Sequence, residues 1–222
     1  DYFFPVLMAG SGLALFLSVP NSRMGVTLGV PALMVVMGLA TGENEMIFWA
    51  VFMLLMFGPI AYMPALASGD STLGLDDETR IKRLGIVWVV MALFLLVMMS
   101  ANVEMAMDGK WTDEDFDGSR YDMSIDSTQQ TIAQGALGLS IAGILVFLVT
   151  AVMGKELGPL RPWHGGAMAA GAMLIGQYLW LGADGGKAFD FVEIPFILTI
   201  VGLLALPPCI AYEGSSDSSE SE

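Results

Sequence analysis

Met46–Ala67 reads MIFWAVFMLLMFGPIAYMPALA, an unbroken apolar run without a single charged side chain. Wound as helix at about 1.5 Å per residue, it slightly exceeds the ~30 Å hydrocarbon core of a bilayer. Six further stretches approach the same pattern: Tyr2–Val19, Met24–Ala40, Leu84–Met107, Thr131–Met153, Gly165–Ala183 and Phe191–Tyr212. Together they predict an all-α integral membrane protein, a single bundle of seven transmembrane helices. Lipid gives a backbone no partner outside a helix or a closed barrel, and a barrel would show short alternating segments. Pro20-Asn21-Ser22-Arg23 is a turn signal that folds the first two stretches into a hairpin. Pro31, and Pro59 with Pro64, are candidate helix breaks. Tyr2–Val19 has no basic flank before it and reads as a span, not as a signal peptide.

Composition agrees with the spans. Of 222 residues, 55% are hydrophobic and 14% charged, and the mean hydropathy is +0.67. A soluble domain carries about a quarter charged residues. The lone Cys209 excludes a disulfide framework and multi-cysteine metal sites, and the lone His164 excludes any site built on two imidazoles. Phe191–Tyr212 holds no lysine, so a retinal Schiff base is excluded too. No nucleophile–base pair or carboxylate dyad stands at depth, and the chain is expected to carry no catalytic residues of its own.

The nine basic residues all fall between or beyond the spans. Arg23, Arg80, Lys82, Arg83, Lys155 and Arg161 share one face, and Lys110, Arg120 and Lys187 share the other. The positive-inside rule makes the richer face cytoplasmic, with Asp1 outside and the acidic, Ser-rich tail 213–222 inside a cell membrane. Trp49, Trp111 and Trp180 fall near the outer face, and Trp88 and Trp163 near the inner one, as interfacial aromatics do. The net charge of −14 argues against nucleic acid as a partner.

The acidic extracytoplasmic loop, residues 108–130, contains Asp113-Glu-Asp-Phe-Asp-Gly118. D-x-D-x-D-G is how a calcium loop begins, three carboxylates converging over a glycine turn. The twelfth position, where a bidentate acid belongs, is Ser124, so the full pattern fails unless Asp122 or Asp126 substitutes. Asp113, Asp115, Asp117 and Asp122 are the candidate calcium ligands, set against the plainer reading of a solvated acidic coat. No other cofactor is suggested. Methionine, at 17 residues, clusters at Met98, Met99, Met105 and Met107, where generic packing is a better account than copper.

Small residues recur at helical spacing. Gly165, Ala169, Ala172 and Gly176 form one stripe, with shorter steps at Gly25 and Gly29 and at Gly138 and Ala142. Such stripes let helices approach closely in lipid. Ile60-Ala61-Tyr62 and Ile210-Ala211-Tyr212 end the third and seventh stretches alike, which suggests a parallel 3+1+3 repeat.

Two function classes follow. The packing motifs favour a non-catalytic structural or accessory subunit of a larger membrane complex, whose partners are lipid and other membrane subunits. The alternative is a small transporter or channel for a neutral or cationic solute, with an acidic outer vestibule and a path over Ser11, Ser140, Gln177 and Tyr178. A polar cavity between the triplets would mark the transporter. An apolar interior with an apolar outer face would mark the subunit.

Overall fold

The computed structural model describes residues 22–42, 44–98, 100–114, 120–183 and 193–213. Among these the chain is predominantly helical. Helix α1 (Val30–Thr41) is entered through a helical turn at Ser22–Met24 and a wider, π-type turn at Gly25–Gly29. Pro31 therefore marks a change of winding, not a stop. Gly42 ends α1 in the left-handed region, at φ 76°, where a side chain would be strained. Helix α2 (Asn44–Ser68) runs on through Pro59 and Pro64. Asp76 opens α3 (Asp77–Met98) by accepting the Thr79 N–H at 2.8 Å, and Asp77 and Glu78 suit the positive end of that helix.

A short helix, α4 (Ser100–Asp108), leads into an antiparallel hairpin of β1 (Lys110–Glu114) and β2 (Arg120–Ser124). The hairpin is the departure from an all-α chain, and its second strand alternates polar and apolar side chains, with Met123 turned to a buried position. Helix α5 (Ser127–Phe147) starts on a reciprocal cap between Asp126 and Gln129 and loosens into a π-type turn at Leu148–Val152. Helices α6 (Pro162–Ala183) and α7 (Glu193–Glu213) complete the described chain.

Two helical stretches, Met46–Ser68 and Ser127–Val152, are long and apolar enough to cross a membrane. The apolar parts of α1 and α7 are shorter, Thr27–Thr41 and Ile197–Tyr212, and α3 carries charge through its first two turns. The expected span Tyr2–Val19, with Ser11 in it, and the tail 214–222 lie outside the described residues.

Helices α2, α3, α5, α6 and α7 close a ring, each touching the next, and α1 lies outside it on α2. The outer seam is small: Met34 of α1 packs with Ala50, Met53 and Phe57. The main core is centred on Trp88, which is fully buried, not interfacial as its position in the sequence suggested. Its ring stacks on Phe147 at 4.0 Å, and Phe147 meets Tyr212 edge-on at 5.9 Å, so one aromatic chain joins α3, α5 and α7. The Trp88 indole N–H donates to the Leu204 carbonyl at 2.9 Å. Pro208, four residues after Leu204, has no N–H to offer that carbonyl. The tryptophan thus supplies the donor that the proline removed.

The helices approach most closely at glycines. A Cβ on Gly143 would stand 2.8 Å from the Gly165 carbonyl, and one on Gly165 would stand 2.6 Å from the Gly143 carbonyl. Gly166 does the same toward α7, where a Cβ would meet the Leu204 carbonyl at 2.7 Å. Consecutive glycines therefore fit α6 against two neighbours at once. The step at Gly138 and Ala142 is displaced by comparison: Gly138 is exposed with no described atom near it, and the contact passes through Gly143. Gly25 and Gly29 are likewise exposed, with no described atom within 4 Å.

Two predictions test this geometry by thermal unfolding. Trp88→Phe leaves a buried carbonyl unpaired and should cost about 1–3 kcal/mol, whereas adding Pro208→Ala restores a helix donor and should recover part of the loss. Gly143→Ala should destabilise by about 1–3 kcal/mol, while Gly138→Ala should raise stability through helix propensity by about 1 kcal/mol.

Candidate functional site

A solute path would have to run through the ring of helices. The cavity there is small, about 50 Å³, and its wall is made by Leu95, Ala136, Ala169, Met173 and Leu204 among others. Ser140 supplies the one polar side chain in that wall among the described residues. The space exists because α6 turns its small stripe inward: Gly165, Ala169, Ala172 and Gly176 are all buried, and the last three line the cavity. A wall of this kind offers a water molecule few hydrogen-bond partners.

Of the other path residues, Ser11 lies outside the described residues, and the remaining two are not in the cavity wall. Gln177 is half-buried and outside the cavity wall. Tyr178 is 73% exposed. Two positions beyond Gly176 is about 200° around a helix, which carries Tyr178 to the far side from the stripe. Met105 and Met107 diverge in the same way, one fully buried and the other 67% exposed.

The acidic pattern begins at the end of β1. Asp113 stands opposite Tyr121 and Asp122 opposite Thr112, while Asp115 and Asp117 lie outside the described residues. The flanks are strands, where an EF-hand has helices. Asp126, the other substitute ligand, is engaged at the start of α5, accepting from the Thr128 and Gln129 N–H groups at 2.8 Å each. Behind the hairpin, Gln130 and Gln134 donate to the terminal carbonyls of α4, Met107 at 3.0 Å and Ala106 at 2.9 Å. Among the described residues, no group of three or more His, Cys, Asp or Glu side chains is close enough to hold a metal ion.

The opposite end of the bundle is where charge is organised. Arg23, ahead of α1, pairs with Asp70 in the α2–α3 loop and donates to Thr72 at 3.0 Å. Thr72 gives Asp70 its hydroxyl at 2.7 Å and its N–H at 2.9 Å. Those Thr72 bonds, and then Arg23, lower the Asp70 carboxyl from the usual 3.8 to about 2. Arg80 closes the end of α2, reaching the Leu66 carbonyl at 2.6 Å and the Ala67 carbonyl at 3.2 Å while holding Asp77 at 3.1 Å. A cation at a helix C-terminus meets the negative end of its dipole. Nearby, the Arg161 N–H donates to His164 Nδ1 at 2.9 Å, and that imidazole stacks on Trp163.

Charge counting located these arginines on one face but not their tasks. The roles of Trp88, Gly143 and Gly166 were also missed. The Pro207-Pro208 doublet was the available signal for Trp88, because two successive prolines bare two carbonyls that need an outside donor. The chain matches no family model, no curated protein and no solved structure.

The lowered Asp70 pKa carries a sign. Its contribution is complete above the unfolded value of 3.8 and disappears as pH falls toward about 2. Asp70→Asn should therefore flatten the pH dependence of melting between about pH 4 and pH 2, and a slope equal to the parent's would refute the assignment.

Proposed function

We propose that this chain is a multi-pass membrane protein of seven transmembrane helices that serves as a non-catalytic structural or accessory subunit of a larger complex. The ends of the bundle carrying Arg23, Asp70 and Arg80 face the cytoplasm, and the acidic hairpin faces outward. The observation that carries this reading is a bundle apolar on both sides. Alanine is the commonest side chain in the described core, while many large apolar residues point outward: Leu39 is 70% exposed, Val36 62% and Phe48 57%. Water-soluble monomers do not present so continuous an apolar surface. Close seams at small residues beneath an apolar outer face suit lipid, because close approach and not desolvation joins the helices there.

The apolar interior supports the subunit reading over the transporter. A transporter needs polar groups lining a route, and among the described path residues the central cavity offers Ser140 alone. The ion pair between Arg23 and Asp70 supports placing the entry to α1 and the α2–α3 loop together at the end richer in cations.

Purification of the full chain in a mild detergent, with mass spectrometry of what accompanies it, tests the reading. A stoichiometric second membrane protein is the expected result, and a monodisperse lone chain would overturn the subunit role. Single cysteines in the 69–76 loop and in the hairpin should label from opposite sides of the membrane; labelling from one side would overturn the topology.

A further inference from the structure

A groove of about 490 Å³ runs along the outside of the ring between α2 and α3, within the range of small-molecule sites. From α3 it takes Arg83, Val87 and Val90, one helical face. Leu54 and Tyr62 of α2 form the other wall, and Leu73 of the connecting loop closes one end. The wall is apolar for most of its length and contains no acidic residue. Tyr62 lies six residues before the end of α2, and Arg83 lies six residues after the start of α3. In antiparallel neighbours joined by a short loop, that places both at one level near the loop.

The cations of this face divide by their engagement. Arg23 is paired with Asp70, and Arg80 is occupied by the end of α2 and by Asp77. Arg83 is exposed, and among the described residues it makes no hydrogen bond or ion pair, although its charge reaches Asp76 and contributes to lowering that carboxyl after the Thr79 hydrogen bonds. An uncommitted guanidinium at the loop end of an apolar groove complements a phosphate attached to a hydrocarbon chain.

We propose that this groove binds an anionic phospholipid, its acyl chain lying along Leu54, Val87 and Val90 and its phosphate on Arg83. The proposal rests on the membrane reading above. A guanidinium holds phosphate through paired N–H donors, and the groove walls give the chain more contact than neighbouring lipid would.

The test uses the full chain in mild detergent, titrated with phosphatidylglycerol, with phosphatidylcholine of the same acyl chains and with inorganic phosphate, the bound species being read by native mass spectrometry. Phosphatidylglycerol should be retained about fivefold over phosphatidylcholine, the factor one cation near anionic headgroups supplies, and inorganic phosphate should not bind alone. Arg83→Ala should abolish the preference, Arg83→Lys should keep part of it, and Lys155→Ala, an exposed cation outside the groove, should leave it intact. Val90→Trp should fill the groove and remove both lipids. Preference surviving Arg83→Ala, phosphate binding without lipid, or a protein segment cross-linking to position 90 in place of lipid would each overturn the proposal. A chain that stays dispersed without detergent would sink the membrane reading itself, and that result is distinct from a folded membrane protein showing no lipid preference.

Discussion

The bundle is organised by one exchange of hydrogen-bond partners. Pro208 takes a donor away from α7, the Leu204 carbonyl is left bare in the middle of the core, and the Trp88 indole of α3 answers it. An unpaired carbonyl at that depth would cost more than the bond returns, so α3 and α7 are held in one register and at one separation. Phe147 then has a face to stack on, and Tyr212 an edge to meet. The proline is tolerated in the helix because a neighbour repairs it, as is usual where no water can.

Around that fixed point the seams are made by absence of side chains. Gly143 against Gly165, and Gly166 against Leu204, bring backbones into direct contact. Close backbone approach gains dispersion over many atoms, each worth little. The same economy of side chains leaves a small unfilled space beside Ala169, Ala172 and Gly176. Packing and cavity are two results of one stripe. The cationic end is built differently, from arginines that finish helices and tie loops, with Arg80 on the last carbonyls of α2 and Arg23 on Asp70.

Much of the helical layout was legible in the sequence, because uninterrupted apolar runs such as Met46–Ala67 admit few alternatives. The stripe on α6 could be read from spacing alone, since four small residues at helical intervals define a face. Its partner could not: Gly138 and Gly143 both sit in small-residue-rich surroundings, and only the rotation of α5 selects the second. Trp88 was misplaced for a related reason. Sequence position put it near an inner boundary, but depth along a helix says nothing about which way the ring turns. The hairpin escaped notice because its alternating segment, Arg120–Ser124, is only five residues long and is set in a strongly acidic stretch. Tyr178 looked like a path residue from its depth, and the helix's own pitch turned it away from the cavity.

The Gly165-Gly166 doublet restricts how this chain can diverge. On the outer faces a leucine can be exchanged for methionine or valine at little penalty, and overall resemblance between distant kin would fade there first. At the doublet, any added carbon strikes either α5 or α7. Ancestry is therefore best sought in a sparse signature, a tryptophan midway along one helix, a paired glycine opening a later one and a paired proline closing the next, and not in the extent of apolar matching.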